Sequence, residues 1–314
     1  MTTPSLSVVA LAGGVGGAKL AHGLALVLPP ERLTIVVNTG DDFEHLGLSI
    51  SPDLDTVMYG LAGVANPATG WGRADEGWRF METVRAYGGP DWFNLGDRDL
   101  ATHVLRSERL RQGASLTTVT RELCTALGIG PRVLPMSDEP VRTRVDTEVG
   151  ELAFQQYFVA QRCAPRATAI RFAGAEAARP SPEVRLALAE ADLIVICPSN
   201  PFLSIDPILA VPGMRAAVQA RPVVAVSPIV GGQAIKGPAA KLLGELGHDV
   251  SALSVARYFV GLAAGFVLDT VDADLAPAVE ALGLRALVTA SVMRTDAERA
   301  ALATAVLEVF GRSG

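Results

Sequence analysis

The sequence predicts an α/β fold: a Rossmann-like, mostly parallel sheet flanked by helices, with an inserted region of helices and a β-hairpin. Short, unbroken apolar runs that end in glycine, proline or polar residues are typical of buried parallel strands, and helical segments separate them. This alternation stops between residues 66 and 160, a stretch that holds all three Trp. We therefore predict a core formed by residues 1–65 and 161–314, interrupted by an insertion at 66–160.

The chain opens with a β-α-β pattern. Residues 6–12 (LSVVALA) form an apolar run that ends in glycines. A helical stretch follows to about Leu28 and stops at Pro29 and Pro30, because proline cannot continue a helix. Residues 33–37 (LTIVV) repeat the strand pattern. In a parallel sheet, the loops after these two strands lie at the same edge.

The insertion is predicted to contain three helices, at Glu76–Tyr87, Asp97–Gln112 and Leu116–Leu127. Alternating polar and apolar residues over Arg142–Val159 predict a β-hairpin, with its turn at Glu148–Glu151.

The α/β alternation then returns. Ser181 and Pro182 begin a helix in the favoured N-cap and N1 positions. Two further buried strands are predicted at 192–198 and 222–228, with a helix between them. Thr295–Glu298 is a capping box that begins the last helix.

Composition excludes several classes of protein. Of 314 residues, 49% are hydrophobic and 19% charged, which excludes a disordered chain. The net charge of −6 argues against a nucleic-acid partner. Three widely spaced Cys support neither a disulfide framework nor a zinc site. No apolar run approaches the roughly 18 residues of a membrane span, and no signal peptide is visible. We expect a soluble, cytoplasmic protein.

A glycine-rich loop, Gly13–Leu20 (GGVGGAKL), joins the first strand to the first helix. Such a loop lets an anion approach the helix N-terminus closely. The dinucleotide-binding fingerprint would need Gly where Lys19 stands, and a Walker A motif would need Gly and Ser or Thr where Ala18 and Leu20 stand. We predict phosphate binding; the alternative is a tight turn that serves helix–sheet packing. Any magnesium must be held elsewhere.

Four aspartates follow the second predicted strand: Asp41, Asp42, Asp53 and Asp55. Carboxylates are ligands for Mg²⁺, and a spare carboxylate can accept a proton from a hydroxyl. Other roles are open to three of them. Asp41 could hold a ribose hydroxyl, Asp53 could cap a helix, and Asp55 could be a first-turn helix acid. Because all four follow one strand end, opposite the glycine loop, the cluster as a whole favours a role in metal binding or catalysis.

Further polar residues lie at helix starts and strand ends. Asp97 is predicted to be an N-cap, while Arg98 and His103 could face an anionic or aromatic ligand. Other polar side chains lie between prolines after two buried strands, which suits either ligand loops or simple turns. They are Ser199, Asn200 and Ser227, with Lys236 shortly afterwards.

Taken together, these motifs resemble the 2-phospho-L-lactate transferase family of deazaflavin coenzyme (F-420) biosynthesis, including its phosphoenolpyruvate variants. The resemblance covers about residues 6–310. The motifs that carry it are Gly13–Leu20, NTGDD (38–42), SPDLDTVMY (51–59), LGDRDLATH (95–103), LPMSDEPV (134–141), SNPFLSIDPIL (199–209) and SPIVGG (227–232).

The resemblance implies a Mg²⁺-dependent reaction and a fold that is usually homodimeric. A guanosine diphosphate-linked donor gives its phosphorylated three-carbon acid, 2-phospholactate or phosphoenolpyruvate, to the ribityl terminal hydroxyl of the deazaflavin FO, and GMP leaves. Which acid this chain carries stays open.

The resemblance also implies roles for individual residues. Donor phosphates would be held by Gly13, Gly14, Gly16, Gly17 and Lys19. Mg²⁺ binding or hydroxyl activation would fall to Asp41, Asp42 and Asp53, with Asp41 and Asp42 as the catalytic pair. The deazaflavin would contact Asp55 and Arg98, and the guanosine half Ser199, Asn200 and Ser227.

Two rival functions are considered. A related group shares the glycine loop and sheet and is thought to bind nucleotide-sugars in a regulatory role, without transferase chemistry. A nicotinamide oxidoreductase is disfavoured by Lys19, which breaks the dinucleotide fingerprint.

The lysines themselves are unusual, because only Lys19, Lys236 and Lys241 occur among 27 basic residues. We predict that Lys19 contacts a phosphate and that Lys241 lies on a solvated helix face, while Lys236 could either reach a phosphate or face solvent. The alternative is codon bias.

Overall fold

The computed structural model describes residues 6–311. Its strands are β1 (Val8–Ala12), β2 (Leu33–Val37), β3 (Phe43–His45), β4 (Leu48–Ile50), β5 (Arg132–Pro135), β6 (Arg142–Thr147), β7 (Gly150–Ala153), β8 (Ala167–Ala173), β9 (Leu193–Ile196), β10 (Val223–Val226), β11 (Ile229–Val230), β12 (Gln233–Ala234), β13 (Gly265–Leu268) and β14 (Arg285–Val288).

The α-helices of the same region are α1 (Gly14–Val27), α2 (Pro52–Leu61), α3 (Arg79–Ala86), α4 (Asp97–Arg111), α5 (Leu116–Ala126), α6 (Pro182–Glu190), α7 (Asp206–Ala210), α8 (Met214–Gln219), α9 (Ala239–Glu245), α10 (Ala252–Tyr258), α11 (Ala276–Glu280) and α12 (Asp296–Phe310). Short 3₁₀ turns cover Pro30–Arg32 and Thr270–Leu275, and π turns cover Gln156–Ala160 and Pro201–Ile205.

Seven strands form one parallel sheet in the order β14-β13-β10-β9-β1-β2-β5, which confirms the predicted fold class. From β1 the chain first winds outward through β2 to β5. It then returns to β9, beside β1, and winds outward in the other direction. Ligands bind at such a switch point, outside the carboxyl ends of the strands.

Both faces of this sheet are covered, and β1 shows why its sequence is apolar throughout. The side chains of Val8 and Ala10 pack into a core that includes residues of α1, α2 and α12. Val9 and Leu11 pack into a second core, which includes residues of α6 to α10. A strand buried on both faces loses the usual polar alternation, so the run predicted at 6–12 is a central strand.

The predicted insertion contributes to the central sheet as well as to the region around it. Its three helices are present, although α3 begins at Arg79 and not at Glu76. The hairpin is also present, as β6 and β7, and β8 joins it in a separate three-stranded antiparallel sheet. However, β5 pairs with β2 at the edge of the central sheet. The predicted insertion, 66–160, therefore contains one strand of the central sheet.

The capping predictions had mixed outcomes. Ser181 accepts from the N–H of Val184, and Thr295 forms its capping box with Glu298, both as predicted. Asp97 does not cap its own helix, so that prediction is wrong. Its carboxylate accepts from two N–H groups at the start of α3.

The start of α4 is capped in turn by Glu76, which accepts from the N–H groups of Arg98 and the next residue at 2.7 and 2.9 Å. Asp97, in α4, thus caps the first turn of α3, and Glu76, just before α3, caps the first turn of α4.

Among residues 6–311, no helix combines the length and the apolar character that a membrane crossing requires.

Candidate active site

The glycine loop and the loop after β9 meet at the switch point of the sheet. The Ser199 hydroxyl donates to the carbonyl oxygen of Gly13 at 2.9 Å. A Cβ added at Gly16 would lie 2.1 Å from the Pro198 carbonyl oxygen, and one added at Gly17 would lie 2.7 Å from Ser199 Oγ. These glycines are therefore required for packing, whatever else they do.

The same loop also begins a helix. Helix α1 starts at Gly14, whose φ of +62° suits glycine. The N–H groups of a first helical turn have no intrahelical partner and attract anions. One of them, that of Gly14, donates to Asp53 Oδ1 at 2.7 Å. The same loop can therefore serve helix–sheet packing and anion binding.

Asn38, which follows β2 directly, links the acidic residues of this edge. Its Nδ2 donates to Asp53 Oδ2 at 2.9 Å, and its Oδ1 accepts from the N–H of Gly40 at 2.8 Å. Asp53 is not a helix N-cap, since Ser51 holds that position in α2. Its carboxylate instead joins α2 to the glycine loop.

Asp41, Asp42 and Asp53 are all buried, and burial raises the pKa of each carboxyl group. The pKa of Asp42 is raised to about 7 and that of Asp53 to about 6. The charges of Asp53 and Asp42 raise the pKa of Asp41 further. Within residues 6–311, the Oδ1 atoms of Asp41 and Asp42 have no hydrogen-bond partner. Burial therefore favours the protonated forms of these groups, and two of their oxygens are open to a proton or a cation.

A cavity of about 600 Å³ lies over the glycine loop. The predicted site residues that line it are Gly13, Gly14, Gly16, Lys19, Asp41, Asp53, Ser199, Asn200 and Ser227. A second cavity, of about 610 Å³, lies beside it and is lined by Asp42, Trp92, Arg142 and Thr143 among others. The two cavities share Asp41, Phe154 and Gln155 in their walls.

One wall of the first cavity is positively charged. Lys19 Nζ donates to the carbonyl oxygen of Met293 at 2.7 Å. Burial lowers the pKa of Lys19, and the charges of Arg299 and Lys236 lower it further. Lys236 also lines the cavity and donates to the carbonyl oxygen of Thr69 at 2.9 Å. Lys19 therefore lies in an electropositive region that suits an anion.

Two loops after the strands supply further polar groups. Asn200 Oδ1 accepts from the N–H groups of Phe202 and Leu203, which fixes the loop. Its Nδ2 is buried without a partner in the described chain and can donate to a ligand. The Ser227 hydroxyl is engaged within its own turn, donating to the Ile229 carbonyl at 2.8 Å.

Asp55 does not reach either cavity. Its two carboxylate oxygens accept from both terminal nitrogens of Arg106, and both side chains are buried. His103 lies beside them, with Nδ1 3.6 Å from Asp55 Oδ2 and Nε2 3.2 Å from Asp99 Oδ2. Asp55, Asp99 and His103 have suitable chemistry for a metal, but Arg106 already neutralises Asp55.

Two other predicted contacts also lie away from the cavities. Arg98 is exposed at the start of α4 and lines neither of them. Gly17 lines neither cavity, because it packs against β1 and Ser199. Lys241 is not on a solvated face: it pairs with Glu245 and donates to the Pro165 carbonyl at 3.1 Å.

Several residues of the site went unnoticed in the sequence. Asn38 stands in the NTGDD motif, so its position could have indicated its role. Gln155, whose amide donates to the Asp41 carbonyl at 3.4 Å, and the stacked rings of Phe154 and Phe158 come from the hairpin region. No local pattern connects that region to Asp41.

Comparison with known proteins identifies the family. The model of the family described as 2-phospho-L-lactate transferase CofD matches residues 8–306. A phosphoenolpyruvate transferase of Streptomyces griseus is 46% identical over 97% of this chain and 98% of its own length. A 2-phospho-L-lactate transferase of Methanosarcina mazei is 39% identical over 96% of this chain and 100% of its own length.

Among solved structures, a Bacillus halodurans protein superimposes with a TM-score of 0.65 at 17% identity, covering 96% of this chain and 99% of its own. At that identity the likeness shows the fold alone. The family match and the closer relatives are much stronger evidence. The chain therefore belongs to the CofD family of 2-phospho-L-lactate transferases and is a transferase.

Proposed function

We propose that this transferase moves a phosphorylated three-carbon acid from a guanosine diphosphate-linked donor to the ribityl terminal hydroxyl of the deazaflavin FO, as a step of coenzyme F-420 biosynthesis. The hydroxyl oxygen bonds to the phosphorus that carries the acid. The bond from that phosphorus to the bridging oxygen breaks, and GMP leaves with the oxygen. The observation that carries the proposal is a buried carboxylate cluster with two unpartnered oxygens, where two cavities meet.

The donor occupies the cavity over the glycine loop. Its phosphates face the first turn of α1 and Lys19, where N–H groups and a positive charge are available. Its guanosine half lies toward the loops of Asn200 and Ser227, and Asn200 Nδ2 is free to donate. Binding at the switch point between β1 and β9 is the usual arrangement for a nucleotide on this fold.

The acceptor approaches from the second cavity, which opens toward Asp41 from the β5 side of the sheet. Its wall includes Thr39 and Thr143, whose hydroxyl oxygens are buried without partners in the described chain. Such groups suit a polyhydroxylated chain such as ribityl. Phe43 and Trp92 line the same cavity and offer apolar surface to the deazaflavin ring.

The acidic residues fit Mg²⁺. Oxygen ligands are required, and Asp41 offers a buried, unpartnered carboxylate oxygen with Asp53 close enough to raise its pKa. No Lys or Arg forms an ion pair with Asp41 or Asp53 in residues 6–311. Bound there, the ion would neutralise phosphate charge. Asp41 and Asp53 would hold it, and Asn38 keeps Asp53 in place.

The remaining task is proton removal from the acceptor hydroxyl. Asp42 lines the acceptor cavity, and its Ser51 hydrogen bond of 2.7 Å leaves Oδ1 free. Burial raises its pKa to about 7, a value suited to a base that works near neutral pH. We assign proton acceptance to Asp42 and its positioning to Ser51.

The names of the relatives favour phosphoenolpyruvate as the carried acid. Relatives named phosphoenolpyruvate transferase are 46% and 48% identical, whereas those named 2-phospho-L-lactate transferase are 39% identical. The two donors differ only in the three-carbon group, so the same site architecture serves both.

The test is a donor panel. The protein, Mg²⁺ and FO are mixed with guanosine diphosphate-linked phosphoenolpyruvate or phospholactate, and GMP release and product mass are measured. We expect GMP release with both substrates present and a faster rate with the phosphoenolpyruvate donor. Binding of the donor without GMP release, and without FO co-migrating with the protein, would contradict the transferase reaction and favour the regulatory nucleotide-binding role.

A further inference from the structure

A short turn, Asn66–Arg73, contributes Thr69 and Trp71 to the wall of the donor cavity; we call it the tryptophan turn. Its backbone is tightly self-bonded: the N–H of Asn66 donates to the Gly72 carbonyl at 3.0 Å, and that of Gly70 to the Asn66 carbonyl at 2.9 Å. The Asn66 side chain accepts from the N–H of Ala68 at 3.0 Å. The turn therefore has a defined shape of its own.

The turn is anchored to the rest of the molecule at one end and near its middle. At one end, the Arg73 guanidinium lies 5.6 Å from the centroid of the Tyr59 ring, on α2. Near the middle, Lys236 Nζ donates to the Thr69 carbonyl, and both residues line the cavity. A Cβ added at Gly70 would lie 3.1 Å from Val15, in the first turn of α1. The turn is thus fixed directly over the glycine loop.

Trp71 is the residue that this turn presents. Gly70 and Gly72 flank it, both with positive φ, and neither has a side chain that could shield it. The Thr69 hydroxyl donates to its carbonyl at 2.6 Å and fixes its backbone. Trp71 lines the cavity and is 50% exposed.

The other two Trp behave differently. Trp92 packs in an aromatic group, with ring centroids 5.1 Å from His45 and 5.7 Å from Phe93. Trp78 is 40% exposed but lines neither cavity. Within residues 6–311, the Trp71 indole stacks on no other ring. A rigidly held, half-exposed indole at a cavity is the arrangement that proteins use to bind flat rings.

We propose that Trp71 is the stacking surface for a planar heteroaromatic ring of a bound substrate, held over the site by the Lys236–Thr69 hydrogen bond. This inference rests on the proposed function, whose substrates contain two such rings, guanine and deazaflavin. Stacking on an indole is tolerant of ring identity, so the two sources share one chemistry. The test separates them.

The affinities of GDP and of FO are measured separately by calorimetry for the wild type, Trp71→Ala, Trp71→Phe and the control Trp78→Ala. We expect Trp71→Ala to weaken GDP binding roughly tenfold, because Trp71 lines the cavity assigned to the donor. Weaker binding of FO instead would identify the deazaflavin as the stacked ring and move the acceptor to this cavity. Trp71→Phe should restore most of that loss, because it keeps an aromatic face. Trp78→Ala should leave both affinities unchanged.

Unchanged affinities for both ligands in Trp71→Ala would overturn the stacking role. So would equal losses in Trp71→Ala and Trp71→Phe, because an aromatic face would then not matter. A wild type that binds neither GDP nor FO would overturn the proposed function itself. That outcome is distinct, because it appears before any substitution is made.

Discussion

Helix α2 carries two buried acidic groups whose charges are met in opposite ways. Asp53, in its first turn, lies with Asp41 at the cavities, and neither forms an ion pair in the described part of the chain. Asp55, two residues later, is held by the Arg106 guanidinium. The Asp55–Arg106 pair is complete in itself, whereas no Lys or Arg within residues 6–311 pairs with Asp41 or Asp53. Burial alone therefore does not separate ion-paired carboxylates from carboxylates that are open to a ligand; the partner does.

The largest effect is expected from breaking the complete pair. Arg106→Met should lower the free energy of unfolding by about 3–5 kcal/mol, because it leaves the Asp55 carboxylate buried without its partner. Urea unfolding measures this. Arg98→Met, on the exposed start of the same helix, is the control and should change stability by less than about 0.5 kcal/mol. A loss as small as the control's would show that Asp55 finds other partners.

Sequence reasoning located the acids but not their partners. The apolar runs at β1, β2, β9 and β10 indicated the strands, because burial on both faces leaves a local pattern. Strand ends then brought Asp41, Asp53 and Ser199 to one edge, as the structure confirms.

The errors have a common cause. The family resemblance implies that Asp55 contacts the deazaflavin, yet Asp55 lies two residues after Asp53, and residues two apart on a helix point about 200° apart. Its partner, Arg106, is 51 positions away. The caps of α3 and α4 are likewise exchanged over 17 to 23 positions, so Asp97 looked like a cap for its own helix. Tertiary partners of this kind leave no local pattern.

The proposed cation site at Asp41 and Asp53 should respond to substitution in its activity and not in its stability. Asp41→Asn should slow GMP release by roughly 100-fold, since it removes one charged ligand from the junction of the two cavities. Its unfolding free energy should not fall, because a buried carboxylate without a cation is itself costly.

Asp55→Asn should give the opposite result, with reduced stability and little change in turnover per folded molecule. Undiminished turnover in Asp41→Asn would remove Asp41 from the mechanism. Similar effects of both substitutions on turnover would mean that the two groups are not functionally distinct.

A smaller effect is expected from pH. The folded-state pKa values of Asp42 and Asp53, about 7 and about 6, lie above the value of about 3.9 for an unfolded Asp. Folded protein therefore holds extra protons between about pH 4 and 7. The stability these groups contribute is present at low pH and is lost as pH rises through their folded-state pKa values.

Mg²⁺ should offset that loss, because it replaces the departing protons. Thermal unfolding with and without Mg²⁺ should show a larger rise in melting temperature at pH 8 than at pH 5.5. Asp41→Asn is the control and should shrink the difference. An equal Mg²⁺ effect at both pH values would place the ion away from these carboxylates.

The smallest effect concerns the opposite wall of the donor cavity, where positive charge is in excess. Lys19→Arg should weaken GDP binding roughly tenfold, because Lys19 is partly buried against the Met293 carbonyl and a wider guanidinium fits poorly there. Calorimetric titration with GDP measures the change. Lys241→Arg is the matched control: it lies outside the cavity in an ion pair with Glu245 and should leave GDP affinity unchanged. Equal affinities in the two variants would mean that the scarcity of Lys reflects codon usage and that Lys19 contributes only charge.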